Sequence, residues 1–461
     1  MSLADLLVGH PFGEDEGLLH TADRTVTAGE ARAEARRVAD ELAGELGPLE
    51  GRAVAVQLPN GPELVTTMVG IWLAGGVYVP VNPRLPETEV GRVLDATGAA
   101  AHVTPDGTRV LPDARPYDDD VAFVMWTSGT TGRPTAVHHT HTAYVELLDR
   151  VLAPLRGGAA GATPRRPAPN LIPVSMALNA GLYNSLFGLR AGAALVIMDR
   201  FDPEQFAELV GRFAIRSTVL PPAAMAMLTD SEVADLAPLR YVRSITAPLS
   251  PVQARRFAAK FPVYVLNGYG QAEIGEVIGW TAADAKAHPG KVGAVGRPHK
   301  GVDIKLADDG RLLVRPPNTA VGIADRTDAD GFVDTGDLAR IDEDGFVWIE
   351  GRAGDLINRG GNKVFPDAVE EVLRLSPAVD DVAVVAGPDE RLGDVPVAFL
   401  VGRPVADVEL AELCREHLAA YKVPSAFRWV ERIPRSEVGK VLRKQLAESL
   451  RIDGPDRPGH D

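Results

Sequence analysis

Cysteine is almost absent from this chain: Cys414 is the only one in 461 residues. A single thiol excludes an internal disulfide framework and any cluster of thiolate metal ligands, and it suits a reducing compartment. Its setting in a helical pattern gives Cys414 the expected role of a small core residue. Positive charge is also short, with 48 Lys and Arg against 63 Asp and Glu, a formal net charge of −15. Nucleic acid and anionic membrane surfaces need a positive face, so neither is expected as the main partner. Any anionic ligand must meet locally placed cations. No apolar run approaches the ~20 residues of a membrane span, and the N-terminus lacks a basic, apolar, cleavable pattern. The expected setting is the cytoplasm.

What is present is ample apolar content, 45%, in a chain too long for one core, so two or three domains are expected. Residues 29–46 read as an Ala/Glu/Arg-rich amphipathic helix, followed by a strand at 53–58 and a helix opened by Pro62. A strand at 77–80 comes next, and the same rhythm resumes through strands at 194–198, 217–220 and 263–266 with a helix near 204–213. Strands alternating with helices of this length predict parallel sheets in an α/β fold. From Gly293 the pattern changes to short strands between Gly and Asp turns, at 302–306, 311–314 and 346–349, which reads as a β-rich subdomain. A compact βαβ-like remainder follows Gly351-Arg352-Ala353-Gly354-Asp355. The expected architecture is a large N-terminal domain of layered α/β subdomains plus a β-rich subdomain, residues 1–353, and a small mobile α+β C-terminal domain, residues 354–461. Gly354 marks the boundary, as hinge or plain linker. Residues 155–170 read as an exposed loop and 454–461 as a disordered tail.

The apolar run Val121-Ala122-Phe123-Val124-Met125-Trp126 delivers Thr127-Ser128-Gly129-Thr130-Thr131-Gly132. Glycine lets backbone N–H groups approach an anion, and the hydroxyls add rotatable donors, so this loop fits a polyphosphate. Alone, such a cluster is more often just a surface turn. It fails the Walker pattern, which needs Lys-Ser/Thr after its second glycine, so a P-loop kinase or ATPase is disfavoured. Four further motifs follow in order: Asn267-Gly268-Tyr269-Gly270-Gln271-Ala272-Glu273, then Asp334-Thr335-Gly336-Asp337, then Gly351-Arg352 with Asp355, then Pro434 with Gly439-Lys440. Taken singly, each has a plainer role: a half-buried tyrosine, a solvated glutamate, a turn, a surface lysine.

Together these motifs resemble the adenylate-forming superfamily of acyl-CoA synthetases, nonribosomal adenylation domains and luciferase-like enzymes, in flavour the aryl-acid-activating or acyl-CoA ligases. The resemblance runs from about residue 20 to 447. It implies ATP-dependent, Mg²⁺-dependent activation of a small carboxylic acid to an acyl-adenylate, then transfer to a thiol, most simply coenzyme A. Such a displacement between anions depends on positioning and cationic screening. By resemblance the loop 127–132 holds the departing phosphates, Tyr269 stacks on adenine, Asn267 bonds its edge, and Gly270 keeps the backbone close. Glu273 is the metal ligand, since Mg²⁺ takes a carboxylate plus phosphate oxygens. Asp337 accepts the ribose hydroxyls and Arg352 reaches ribose or phosphate. Lys440 neutralises the reacting carboxylate and α-phosphate. After adenylation the C-terminal domain rotates, and the pair Gly360-Gly361 lies beside the pantetheine path, although the pair reads equally as a β-turn.

The sequence departs from the family pattern at Thr135, where lysine is usual, and at Ala272, where threonine is frequent. Weaker ATP binding or slower pyrophosphate release is the expectation for the first, with Arg133 as the available cation. Members that activate α-amino acids carry an aspartate in the segment matching 173–181, and none occurs here, so the resemblance implies a substrate without an α-amino group; Asn179 and the stretch 357–364 resemble the aryl-acid-activating subgroup, which implies an aromatic or compact acid. Asn179, Ala247 and Gly268 are the expected acyl-pocket residues. The cluster His138-His139-Thr140-His141 is not read as a metal site, because no acidic or thiolate ligand accompanies it. Alternatives are transfer to the phosphopantetheine of an acyl carrier protein, attack by an amine or nitrite, or a degenerate nucleotide-binding homologue that no longer catalyses.

Overall fold

The computed structural model describes residues 1–112, 114–128, 134–156, 167–245, 247–271, 273–317, 323–435 and 441–452. The chain divides into two compact units, one of Met1–Val292, Pro298–Val302 and Pro316–Asp325, the other of Gly293–Arg297, Asp303–Arg315 and Arg326–Asp461.

The first unit is α/β, as the alternating pattern predicts. Its largest sheet runs in the order Gly107–Val110, Ala101–Thr104, Ala53–Val56, Val77–Pro80, Val121–Ser128, Pro134–Thr140. The inner strands are parallel and both edges antiparallel. Ala53–Val56 and Val77–Pro80 are buried at every position, which fits a parallel sheet covered on both faces. The helix Ala28–Leu46 starts on a capping box in which Thr27 and Glu30 exchange bonds, and Pro62 opens the helix Pro62–Leu73 at its first turn. The two helices approach closely at Gly70, where an added Cβ would stand 2.8 Å from the Ala35 carbonyl oxygen and the Val38 side chain. A second sheet joins Thr25–Thr27, Gly17–His20, Leu195–Ile197 and Asn170–Ile172. In a third, Ser217–Val219, Tyr241–Ser244 and Tyr264–Gln271 are parallel, and Gly275–Gly279 returns antiparallel to the last of these.

The second unit holds two sheets. Asp303–Leu306, Arg311–Arg315, Val333–Ile341 and Val347–Arg352 form an antiparallel meander. Beyond the turn Ala353–Asp355 comes a sheet of Asn362–Val364, Ile357–Arg359, Gly393–Gly402 and Val379–Asp389. Ala426–Trp429 joins it parallel to Gly393–Gly402 after the helix Asp407–His417, the expected βαβ element. Cys414 on that helix is fully buried beside Val382 and Leu400, and burial pushes its thiol up to about 11. Gly354, the expected boundary, lies in the turn that separates these two sheets. The β-rich segment assigned from sequence to residues 1–353 groups with the C-terminal remainder; Gly351 packs against the Phe365 ring, with an added Cβ only 3.3 Å from it.

Candidate active site

The strand Val121–Ser128 turns back on Pro134–Thr140 with Ser128 opposite Pro134 and Thr127 opposite Thr135. Thr127 and Ser128, read from sequence as part of the phosphate loop, therefore complete a strand. The ladder outlasts the apolar run by two residues, and hydrophobicity gives no sign of that. Gly129, Thr130, Thr131, Gly132 and Arg133 lie outside the described residues, as do Ala272 and Lys440. The three histidines go to separate packing roles. His138 sits edge-on to Tyr117, His139 stacks on Phe123, and His141 accepts the Leu3 N–H at 3.1 Å.

Asn267, Gly268, Tyr269 and Gly270 all lie on the strand Tyr264–Gln271, which runs further than the predicted 263–266. Its glycines explain how it can. A Cβ on Gly270 would collide with the Gly275 carbonyl oxygen, and one on Gly268 would stand 2.8 Å from Glu276 Oε1, so the two strands meet only because these positions are bare. Asn267 is 8% exposed and its Oδ1 accepts the N–H of Gly268 at 3.1 Å. The Tyr269 hydroxyl accepts from Gln271 Nε2 at 3.3 Å. Glu273, half-buried, sits in the turn between the strands, a carboxylate suited to a hard cation. Ala247 is exposed, just past the strand Tyr241–Ser244, and Asn179 opens the helix Asn179–Arg190.

In the second unit the structure brings together two residues that lie in separate motifs. Asp337 and Arg352 face each other on adjacent strands, and Arg352 Nε meets Asp337 Oδ1 at 2.8 Å. Gly336, at φ +70, turns the chain so that Arg352 Nη1 also reaches the Thr335 carbonyl at 3.2 Å. The guanidinium orients the carboxylate, an acceptor-only group of the kind that hydroxyl donors meet. Gly360 and Gly361, at φ +55 and +88, form the two-residue hairpin between Ile357–Arg359 and Asn362–Val364, which is the turn reading of that pair.

Two buried ionic clusters escaped the sequence reading. Glu276, 11% exposed at its side chain, meets Arg243 Nη2 at 3.2 Å and His299 Nε2 at 3.4 Å. Burial pushes its carboxyl up, but Arg243 and His299 outweigh that and hold it below the ordinary range. The second cluster surrounds Arg443, whose Nη2 lies 2.6 Å from both Glu370 Oε1 and Asp367 Oδ1, with Asp355 Oδ2 3.9 Å from its Nη1. Glu370 also accepts the Val384 N–H at 2.9 Å, yet burial leaves its carboxyl raised. An acid inside the apolar run Gly275-Glu276-Val277-Ile278-Gly279 was the available signal for the first. The second offered none, because its members span residues 355–443.

Among known proteins, the model of the AMP-binding enzyme family matches residues 12–115 and 105–323, and that of the AMP-binding enzyme C-terminal domain matches 368–440. The chain is 30% identical to a methyl-dioxo-octahydroindenyl propanoyl:CoA ligase of Mycobacterium tuberculosis, over 94% of this chain and 96% of that one. It is also 30% identical to 4-coumarate:CoA ligase 1 of Petunia hybrida, over 91% and 88%. The o-succinylbenzoate CoA synthetase of Bacillus subtilis superposes in its complex with ATP and magnesium ion at a TM-score of 0.83 and 26% identity, over 96% and 99%. With its acyl-adenylate bound, the same enzyme gives 0.84 and 25% identity, over 99% of each chain. This chain belongs to the AMP-binding enzyme family, as an AMP-forming ligase that uses ATP to activate an acid as its acyl-adenylate and then joins it to a thiol.

Proposed function

We propose that this ligase activates an aromatic or otherwise compact carboxylic acid without an α-amino group and transfers it to coenzyme A. The pairing of Asp337 with Arg352 is the observation that carries the nucleotide half of this reading: a carboxylate 8% exposed at its side chain, oriented by a guanidinium and able to accept ribose hydroxyls. Asn267 and Tyr269 take the adenine, an amide edge and a ring on one strand. Glu273 would hold magnesium, which when bound screens the phosphate charge that repels an incoming carboxylate. Lys440 places a cation at the reacting carboxylate and α-phosphate, Thr127 to Gly132 hold the departing phosphates, and the chain beyond Gly354 moves once the adenylate has formed. Gly360 and Gly361 flank the pantetheine path.

The acid-free stretch 173–181 supports a substrate without an ammonium group, and Asn179, Ala247 and Gly268 contribute to the acyl pocket. No helix among the described residues is long and apolar enough to cross a membrane, and the lone cysteine supports a cytoplasmic setting.

The test is ATP–pyrophosphate exchange across aryl and alkyl acids, followed by product analysis with free coenzyme A or a holo-carrier protein. Acyl-CoA from a compact acid is expected. Product on the carrier alone overturns the choice of acceptor, and exchange with no acid overturns the catalytic reading. Lys440→Ala should lower exchange by about 10²–10³ while thioester formation from supplied adenylate persists; equal loss in both assays would show that the lysine is misassigned.

A further inference from the structure

The strand Val333–Ile341 breaks its ladder where it carries Asp334-Thr335-Gly336-Asp337. Against Arg311–Arg315 the register jumps from Asp334 opposite Leu313 to Leu338 opposite Arg311, so the motif holds surplus residues and bulges. Bulges beside functional sites re-aim side chains, and this one delivers Asp337 to its place opposite Arg352. It also takes backbone N–H groups out of the ladder to Arg311–Arg315, and such groups need acceptors from elsewhere. The motif supplies them itself. Asp334 Oδ1 accepts the Gly336 N–H at 2.9 Å, and Thr335 Oγ1 accepts the Asp337 N–H at 3.2 Å. An aspartate that bonds the backbone two residues on closes an Asx-turn.

The two side chains are anchored differently. Thr335 is buried, and its hydroxyl donates to the Leu312 carbonyl at 2.8 Å. Asp334 is 30% exposed at its side chain and is held by residues from outside the motif. Arg311, on the facing strand, meets its Oδ2, while Arg326 Nε and Nη2 reach its carbonyl at 3.1 and 2.9 Å. With Oδ2 committed to Arg311, Oδ1 is turned to the Gly336 N–H. Gly336, at φ +70, lies against Arg352: an added Cβ would stand 3.4 Å from Arg352 Nη1. A shift of this turn therefore reaches the Asp337–Arg352 pair directly.

We propose that Asp334 is a positioning residue for the nucleotide: through the Gly336 N–H it holds the bulge in the shape that aims Asp337 at the ribose hydroxyls, and Arg311 fixes its own orientation. The inference rests on the reading of Asp337 as the ribose acceptor. Asp334 acts through the turn, not by contact with ATP. Without its carboxylate, glycine at position 336 loses the bond that selects one conformation from the many open to it. Asp337 and Arg352 then meet the ribose less well oriented. Ribose contacts are made in the ground state and the transition state alike, so the KM for ATP should suffer and kcat should change little.

The experiment measures ATP–pyrophosphate exchange with ATP, 2′-deoxyATP and 3′-deoxyATP, and thermal unfolding of each variant. The parent should prefer ATP to each analogue by about tenfold or more in kcat/KM, as a hydrogen bond to a carboxylate implies. Asp334→Ala should raise the KM for ATP about fivefold, keep kcat within about twofold and cut the preference to below about threefold. Asp334→Ser, whose hydroxyl accepts the same N–H more weakly, should fall between the two, and it carries the test if the alanine variant does not fold. A lower melting temperature with the preference intact would make Asp334 a matter of stability alone and overturn the proposal. A serine variant no better than alanine would overturn it too, since the Gly336 bond would not be what matters. A parent enzyme indifferent to both ribose hydroxyls removes the ribose reading of Asp337, and the proposal with it, while acid activation stands. No exchange with any acid removes the acid-activating reading itself, and the proposal falls with that.

Discussion

The two buried glutamates differ in what surrounds them. Glu276 is one acid shared by two bases, Arg243 and His299, and it titrates below the ordinary range. Glu370 belongs to a set in which Asp355, Asp367 and Glu370 crowd around Arg443, with Arg374 adding a contact to Glu370 at 3.2 Å, and its carboxyl is raised. Burial is common to both and pushes both up, so the ratio of cations to acids decides the outcome. In the first unit the carboxylate is the scarce partner; in the second it is the guanidinium. Removing the scarce partner should do the damage in each case.

Arg443→Leu is the most severe test. It leaves three acids together without their common cation, one of them Glu370, 3% exposed, and should destabilise the second unit by about 4 kcal/mol in urea unfolding. Glu276→Ala comes next. Arg243 is 29% exposed at its side chain, so solvent relieves part of its isolation and the cost should fall near 3 kcal/mol. Removing the abundant partner in the second unit should matter far less: Glu370→Gln keeps an acceptor for the Val384 N–H and relieves repulsion from Asp367, at about 1 kcal/mol or below. If Glu370→Gln proves as costly as Arg443→Leu, the scarcity argument is wrong.

The contrast also marks what could be read from sequence. The helix opened by Pro62, the parallel strands at 53–56 and 77–80 and the βαβ element around Cys414 were legible, because periodicity and capping are local. The motifs that carry Asp337 and Arg352 are local too, but their 2.8 Å contact comes from strand register, which no motif shows. The ionic clusters were not legible, since Arg243, Glu276 and His299 come from three separate segments and meet only after the sheet forms. The extension of the strand through Asn267 to Gln271 is not legible, because glycine weakens a strand pattern, and only the opposing Glu276 and Gly275 show why glycine is needed there.

The smallest expected effect is also the most specific to the comparison, a response to acid of opposite sign in the two units. Glu276 has its folded pKa below the ordinary 4.5, so around that pH the unfolded chain binds more protons than the folded one. Its contribution is fully present above 4.5 and is lost as pH falls through the lower folded value. Glu370 is raised from 4.5, and Asp355, facing Arg443, Asp367, Arg352 and Asp337, is raised from 3.8 by burial. For these the folded chain binds more protons, so stability rises as pH falls from neutral toward the unfolded values. Hydrogen exchange corrected for intrinsic rate should show amides of Val379–Asp389 better protected under mild acid than at neutral pH. Amides of Tyr264–Gln271 should hold steady and then weaken below about 4.5, where Glu276 takes up its proton. Glu370→Gln should reduce the gain in the second unit and leave the first unit's loss in place. Parallel responses in the two units, or a gain untouched by Glu370→Gln, would mean that the cation-to-acid ratio does not control these carboxyls.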